Sequence, residues 1–437
     1  MSKIAILFLL SFCSALIATF ISNPVFGFYI YELIYFLNPE SRWWNTDIPT
    51  LKYSFITVTV MWLAYGISYK NFQNNTLRKV PESKWLLAIA ITFLITTLFA
   101  INRELHIKFI IEYFKMLLTM YVAFKLLDSE KKLQYAIFFY FIGASYIGLE
   151  AFNVGRDSMA RVEGIGMVDS PDSNTTAASL VPTIPLLIYY AWQSEWKTKI
   201  LILCCCLLIV NGLILINSRG AFLGCIIGAG YFLIHMVFSK YKVPHQKLML
   251  VLISIAILLG TLRLADNSFW NRMNTIESSS SKDSEGSGGR RINFWLATID
   301  MMKDHPLGLG ISGYQTLSPF YLIEHSTSED VERQRKRAVH SIWFQSLSEI
   351  GWHGLIFFIL LLLSIKRHLG IVKKYLIKEK RFKQYYLAIA LEGSFIGFLI
   401  SASFIDLFRI QVLYWLILFC LVFCIINTPS SEKTEVA

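Results

Sequence analysis

The chain has 437 residues, of which 55% are hydrophobic and 16% are charged, and its formal net charge at pH 7 is +11. Soluble proteins usually contain about 25% charged residues, so this composition excludes an ordinary soluble globular protein. Apolar runs of roughly 17–25 residues, the length that crosses the hydrocarbon layer of a bilayer, recur along the sequence. The composition therefore predicts an all-α polytopic membrane protein.

The apolar segments give the expected number of membrane spans. The first two, separated by Asn23 and Pro24, form either one broken element or a hairpin, so about 12 transmembrane helices are expected. We expect the first segment to be retained, because further apolar segments follow it and no small-residue cleavage site precedes a soluble domain. The segments cover residues 4–21, 25–37, 53–69, 84–101, 109–127, 133–152, 175–193, 198–216, 220–238, 247–263, 341–365, 384–405 and 410–427.

The orientation of these segments follows from the positive charges in the short loops. Residues 366–383 carry eight Lys and Arg, residues 70–84 carry four, and residues 239–247 carry three Lys. Loops of this kind remain in the cytoplasm, and they account for most of the net charge without any nucleic-acid motif. The loops of opposite parity are expected on the outer face of the membrane, around residues 38–52, 102–108, 153–174, 217–219, 264–340 and 406–409.

The same pattern divides the chain into three parts. N-terminal transmembrane helices (1–263) precede one large periplasmic loop (264–340), and C-terminal transmembrane helices with a short cytoplasmic tail follow (341–437). Long loops are usually lids or binding segments, so we expect catalytic elements in this one. A Gly/Ser stretch at 278–289 precedes a predicted helix from Ile292 to Lys303. Its predicted apolar face consists of Ile292, Trp295, Leu296, Ile299 and Met302.

His340 stands where the basic stretch Arg333–Arg337 gives way to an apolar run. Unperturbed imidazole titrates near pH 6.5, so a histidine at a membrane surface can accept a proton at neutral pH. We predict that His340 is a general base. The alternative is an interfacial histidine that only forms hydrogen bonds, and a short helix lying on phospholipid headgroups explains the basic stretch equally well.

Arginines form the second group of candidate residues. Arg219 lies between two apolar segments, where a guanidinium is costly unless it is paired, hydrated or functional. Arg290 and Arg291 follow the Gly/Ser stretch and open the predicted loop helix, whose N-terminus favours anions. Because guanidinium groups match phosphate oxygens, we predict that these residues bind a diphosphate. The alternatives are an arginine that reaches the headgroups and a solvated basic pair beside anionic lipids.

Arg156 and Arg161 add two positive charges in the 153–174 loop, on the same predicted face. They precede the sequence Asp169-Ser170-Pro171-Asp172-Ser173-Asn174, which is typical of a turn followed by a helix N-cap. A direct contact with the substrate diphosphate and a purely structural role are both open for these two arginines.

Asp406 and Arg409 flank a tight turn and are most simply an ion pair, although Asp406 is also placed to orient His340. Tyr314 is a candidate for supporting contacts with a second substrate, the acceptor of a transferred group. The sequence has no Asp-x-Asp motif or carboxylate cluster of metal-binding type, and arginines that neutralise a diphosphate make a divalent metal unnecessary. We therefore predict neither a metal nor a cofactor.

Four blocks of sequence, in this order, resemble the O-antigen ligase and polymerase superfamily. They are Ser218-Arg219-Gly220-Ala221, Arg291-Ile292-Asn293-Phe294-Trp295, His305-Pro306-Leu307-Gly308-Leu309-Gly310 and His340-Ser341-Ile342-Trp343-Phe344. With the early Asn38-Pro39-Glu40, the last block is most similar to the O-glycosylation ligases associated with exosortase systems. The resemblance covers most of the chain and is densest from 217 to 360. Many relatives have Asn after the histidine, where this chain has Ser341, which leaves the acceptor class open.

The resemblance implies a helical glycosyltransferase-C architecture with a lateral cavity, in a bacterial inner (cytoplasmic) membrane with the active site facing the periplasm. It also implies glycan transfer from undecaprenyl diphosphate to an acceptor hydroxyl. In the family's terms, His340 matches the essential histidine, and Arg219 and Arg291 match the essential arginines. Ligation of O-antigen to lipid A–core during lipopolysaccharide biosynthesis is the first expectation.

Three other functions compete with O-antigen ligation. An O-antigen polymerase or a protein O-oligosaccharyltransferase would perform the same chemistry on a different acceptor. A transporter or flippase belongs to another class, and it would more naturally place its ionisable residues near the bilayer midplane, whereas here they gather at one mouth.

Overall fold

The structure is a computed structural model, and it describes residues 2–157, 161–170, 172–253, 255, 287–322 and 336–428. The described residues form 15 α-helices whose first and last residues are both defined, and they form no β-strand, which confirms the all-α prediction. The helices are α1 (Lys3–Ile21), α2 (Val25–Leu37), α3 (Tyr53–Ser68), α4 (Ser83–Thr96), α5 (Arg103–Leu126), α6 (Glu130–Val154), α7 (Ser173–Leu180), α8 (Thr183–Gln193), α9 (Trp196–Ile216), α10 (Arg219–Phe238), α11 (Ser287–Asp304), α12 (Gly313–Tyr321), α13 (Ile342–Lys378), α14 (Phe382–Ala402) and α15 (Gln411–Asn427).

Six of the described helices, α1, α6, α9, α10, α13 and α14, are long and apolar enough to cross a membrane. Two shorter apolar helices, α4 and α15, accompany them. The chain is therefore a multi-pass membrane protein, as predicted. The count of about 12 spans stays a prediction, and most of the expected span at 247–263 lies outside the described residues.

Helices α1 and α2 form a hairpin, which decides between the two arrangements expected around Asn23 and Pro24. The chain turns at these residues, and the Phe26 N–H donates to the Asn23 carbonyl at 3.1 Å. At the start of α1, the backbone nitrogen of Ser2 donates to Asp47, which follows α2. The N-terminus therefore lies at the same end of the bundle as the segment that joins α2 to α3.

That end also gathers several segments that are distant in sequence, and it is termed the His340 end below. The Asn38 side chain donates to the Gly166 carbonyl, and the Gln411 N–H donates to the carboxylate of Asp169 at 2.9 Å. The segments 217–219, 336–341 and 403–410 join them through contacts described below.

Helix α13 is longer than the sequence predicts. The expected loop at 366–383 is mostly helical, because α13 continues to Lys378 and α14 begins at Phe382. Lys, Arg, Leu and Ile are adequate or good helix formers, so the helix continues through most of this basic stretch, as far as Lys378. The Lys373 ammonium contacts the Glu392 carboxylate of α14 at 2.6 Å. The positive charges thus extend along a helix instead of lying in a loop.

A bend in α13 is filled by the loop that carries the His305–Gly310 block. Gly351 has φ 70° and interrupts the helical hydrogen bonds. In their place, the Leu309 N–H donates to the Ser348 carbonyl at 2.7 Å. A Cβ atom on Gly351 would lie 2.5 Å from the Pro306 carbonyl oxygen. The His305–Gly310 block therefore fixes the direction of α13, which begins two residues after His340.

Helices α10 and α14 pack backbone to backbone through glycines. A Cβ atom on Gly224 would lie 2.4 Å from the Gly397 carbonyl oxygen, and one on Gly228 would lie 2.7 Å from that of Gly393. Small residues permit this close approach between membrane helices, where packing replaces the hydrophobic effect as the source of association. The contact fixes Arg219, at the start of α10, relative to the segment that follows α14.

We expect Gly224→Ala to destabilise the protein, because its Cβ would overlap both Gly397 and Ser401, and overpacking costs roughly 1–3 kcal/mol. The control is Gly230→Ala on the same helix, where no atom lies within 4 Å of the new Cβ position. Apparent melting temperatures of the purified variants in detergent provide the comparison. Equal temperatures for the two variants would contradict the close packing of α10 on α14.

Candidate functional site

His340 has an unusual backbone conformation. Its φ is 53°, in the left-handed region that a residue with a side chain seldom adopts. The next residue, Ser341, is the N-cap of α13, and its N–H donates to Oδ1 of Asp406 at 3.0 Å. The segment between α14 and α15, which carries Asp406, thus holds the turn that presents the imidazole.

Helix α11 covers the other side of this turn. The Trp295 indole N–H donates to the Val339 carbonyl at 3.2 Å, and its ring stacks on Phe344 with 5.3 Å between centroids. One residue earlier on α11, the Phe294 ring lies 6.1 Å from the His340 ring, centroid to centroid. The imidazole is therefore half-buried between α11 and the start of α13.

Arg291 lies one turn before Phe294 on α11 and faces the same region. Its guanidinium carbon is 6.0 Å from the centre of the Phe404 ring. Burial and the positive charges of Arg291 and Arg337 lower the pKa of His340 below its ordinary value, although Asp172 opposes the shift. A lowered pKa keeps the imidazole neutral at pH 7, which is the form that can accept a proton.

Arg219 is the first residue of α10 and joins the same cluster. Burial and the charge of Arg219 lower the pKa of Arg291, so the two guanidinium groups lie within electrostatic range of each other. Asn217, with φ 57°, ends α9 and turns the chain into α10. The Ser401 hydroxyl donates to the Gly220 carbonyl at 2.9 Å, which ties this turn to α14. A Cβ atom on Gly220 would lie 3.7 Å from the side chain of Phe404, whose ring also lies beside the Arg291 guanidinium. Residues 219, 291 and 340 therefore lie at the same end of the bundle.

The arginines of the 153–174 loop contact the protein around this cluster. The Arg156 guanidinium donates to the Ile214 carbonyl near the end of α9, at 3.1 Å. Arg161 forms an ion pair with Glu163 at 2.7 Å. The Arg156 contact ties the loop to the end of α9, beside the turn that carries Arg219, whereas the Arg161 pair lies within the loop. A direct role of these arginines in diphosphate binding stays a prediction.

Arg290 belongs to α11, but its side chain lies outside the described part of the structure. The helix begins at Ser287, earlier than the predicted start at Arg290, so Arg291 already lies in its second turn. The free N–H groups of the helix start therefore precede Arg291. Of the basic stretch 333–337, residues 333–335 also lie outside the described residues.

Tyr314, on α12, is buried, and its hydroxyl donates to the Phe294 carbonyl at 3.2 Å. This contact joins α12 to the helix that carries Phe294 and Arg291. The hydroxyl is thus used to hold α11 in place beside His340, and a contact with the acceptor stays a prediction.

The expected ion pair between Asp406 and Arg409 is wrong. Arg409 pairs with the buried carboxylate of Glu349 in α13 at 3.2 Å, and Glu349 also accepts from the Gln345 amide. Asp406 instead accepts the Ser341 N–H, while burial raises the pKa of its carboxyl to about 7. The two residues lie near each other in sequence, but each has its main contact on a different part of α13.

Sequence reasoning also missed Asp172 as a neighbour of His340. Its side chain caps α7 by accepting from the Asn174 and Thr175 N–H groups, as the sequence predicts. In addition, its negative charge raises the pKa of His340. A capping motif in the sequence carries no signal for such a long-range neighbour.

Comparison with known proteins gives one family match. The family model described as O-antigen ligase matches residues 204–359, a range that contains Arg219, Arg291 and His340 but not Asp406. No curated protein matches the chain significantly. The matched range covers the turn before α10, helix α11 and the start of α13, which are the elements that build the cluster. Residues 204–359 of the chain are therefore similar to the O-antigen ligase family.

Proposed function

We propose that the protein transfers a glycan from undecaprenyl diphosphate to an acceptor hydroxyl at the periplasmic face of the bacterial inner membrane. The proposed reaction is ligation of O-antigen to lipid A–core in lipopolysaccharide biosynthesis. The observation that carries the proposal is the meeting of His340 with Arg219 and Arg291 inside the O-antigen ligase domain. A neutral base beside two fixed cations suits an attack by a hydroxyl on a carbon that carries a diphosphate leaving group.

In the proposed step, the acceptor oxygen forms a bond to the anomeric carbon as the bond from this carbon to the diphosphate oxygen breaks. His340 accepts the hydroxyl proton, and a positioned base of this kind contributes roughly 10²–10⁴-fold. The bonding electrons leave with the lipid diphosphate. A single displacement inverts the anomeric configuration.

Arg219 and Arg291 stabilise the charge that develops on the leaving diphosphate. Fixed cations in a half-buried site act more strongly than in water, because little reorganisation is needed when the charge appears. Among the described residues, no group of three or more His, Cys, Asp or Glu side chains is arranged to hold a metal ion. Because Arg219 and Arg291 would neutralise the developing charge, we propose a metal-independent reaction, which should persist in the presence of a chelator.

Ser341 occupies the position where many relatives have Asn. Its side chain is only 1% exposed, and its backbone N–H is bound by Asp406. The side chain at this position is thus packed into the turn that holds His340 in place. The polymerase and protein-ligase alternatives therefore remain distinguishable by their products alone.

We expect His340→Ala to abolish transfer while the protein still folds, because the half-buried imidazole supplies the base. Purified enzyme, undecaprenyl-diphosphate-linked glycan and lipid A–core, with EDTA present, give the direct assay. The matched control is His353→Ala, a change within α13, just beyond the bend at Gly351. Normal transfer by His340→Ala would remove the base assignment.

The cellular phenotype separates the acceptor classes. A strain without the gene should carry lipid A–core that lacks polymer while lipid-linked glycan accumulates, and the His340→Ala gene should not restore it. Core that bears a single repeat would instead indicate a polymerase. Unchanged lipopolysaccharide would indicate a protein ligase.

The pH dependence of transfer tests the electrostatic environment of the base. Burial lowers the pKa of His340, and the positive charges of Arg291 and Arg337 lower it further, so the acid limb of the rate profile is expected below the ordinary pKa of about 6.5. Arg337→Gln removes one of these charges and should move this limb to higher pH. The profile of kcat/KM against pH measures the shift, and an unmoved limb would contradict His340 as the titrating base.

A further inference from the structure

A cavity of about 880 Å³ opens beside the catalytic cluster at the His340 end. Its walls come from α2, α3 and α5, from residues 168–169, and from the segment between α14 and α15. None of the residues predicted to bind the diphosphate or to accept the proton lines it, whereas Asp406, predicted as a supporting residue, does. Ligand sites in proteins commonly have volumes of about 300–1,000 Å³, so this space is large enough for an organic substrate group.

The cavity shares one wall with the catalytic turn. Asp406 lines the cavity and also binds the Ser341 N–H next to His340. Arg409 lines the cavity as well and pairs with Glu349 of α13. Helices α10 and α11, which carry Arg219 and Arg291, do not line it. The cations near His340 therefore come from α10 and α11. The turn that carries His340 contacts the wall of a separate cavity through Asp406.

The charges in the cavity wall are nearly balanced. Four carboxylates and three cations give a formal net charge of −1, which is unlike the purely cationic cluster around Arg219 and Arg291. The charged lining residues are Glu40, Glu112, Asp169, Asp406, Lys52, Lys115 and Arg409. Such a wall does not favour a second diphosphate. Sugar hydroxyls both donate and accept hydrogen bonds, so they can use carboxylates and cations together.

Helix α5 contributes both apolar and charged side chains to the cavity wall. Phe109, Tyr113 and Met116 line the cavity with the spacing of one helix face. Glu112 and Lys115, also in the wall, form an ion pair at 2.9 Å with both side chains more than half exposed. Ionisable residues in a membrane protein usually face a water-filled space, so this ion pair indicates a hydrated cavity with aromatic rings in its wall.

We propose that this cavity binds the carbohydrate of the acceptor and brings its hydroxyl to His340 past Asp406. The inference rests on the proposed transfer reaction, and it assigns donor and acceptor to different sides of the imidazole. The donor diphosphate lies with the arginines of α10 and α11. The acceptor sugar lies among the balanced charges and tyrosines of α2, α3 and α5.

Filling the cavity tests this assignment. Val58 and Ser54 both line it from α3, one helical turn apart, and Trp at either position would occupy the space. Leu63 lies on the same helix, is 57% exposed and does not line the cavity, so Leu63→Trp is the matched control. The use of two filling variants keeps the test valid where one of them fails to fold.

Two measurements distinguish failure of this inference from failure of the proposed function. The first is binding of delipidated core oligosaccharide to the purified protein by calorimetry, which requires no transfer. We expect binding to the wild type and to Leu63→Trp, and a loss of at least about tenfold in affinity for both filling variants. Absence of binding to the wild type, or equal binding to all folded variants, would overturn the inference.

The second measurement is transfer with purified donor and lipid A–core. The filling variants should raise KM for the acceptor at least about tenfold and leave KM for the donor within about twofold. An increase confined to the donor KM would assign the cavity to the donor and overturn the inference. If the wild type binds oligosaccharide but transfers no glycan to lipid A–core, the proposed ligase function fails while the sugar site stands.

Discussion

The candidate site depends on the hydrogen bond between the Ser341 N–H and the carboxylate of Asp406. A left-handed backbone conformation costs a residue other than glycine roughly 1–3 kcal/mol, so it persists only where surrounding contacts hold it. Asp406 supplies that restraint from a segment that is distant in sequence, and Trp295 adds a second one through the Val339 carbonyl. The position of the His340 imidazole is thus set by contacts of its turn with α11 and with the segment that follows α14.

The opposite end of the bundle is held by polar contacts that leave little freedom between its helices. Glu82, before α4, is fully buried and contacts His368 of α13 at 3.2 Å. Lys373 reaches Glu392 of α14, which also accepts the Tyr231 hydroxyl of α10 at 2.8 Å. Breaking a buried ion pair leaves an unpaired charge, so these helices are fixed relative to one another. The cavity of about 880 Å³ opens at the His340 end, where the proposed reaction takes place.

Much of the fold could be predicted, because hydropathy and loop charge are local properties of the sequence. The helix around Arg291 and the cap at Asp172 were predicted for the same reason. The contacts of Asp406 and Arg409 were not, since both depend on where α13 lies. The apolar face of α11 was also partly wrong: Ile292 and Leu296 are 54% and 47% exposed, while Met301 is buried against α12 and α13. Periodicity alone does not tell which side of a loop helix meets the protein.

The distribution of charge around His340 bears on the order of events in the proposed reaction. Without a donor, Arg291 and Arg337 disfavour a second positive charge, which keeps the imidazole neutral but also makes it a weak base. A bound diphosphate would offset these cations and raise the pKa of His340 toward its ordinary value. The base would then be strongest when the leaving group is in place. An acceptor sugar that waits in a nearly neutral cavity would not disturb this balance, so the basicity of His340 responds to the donor alone.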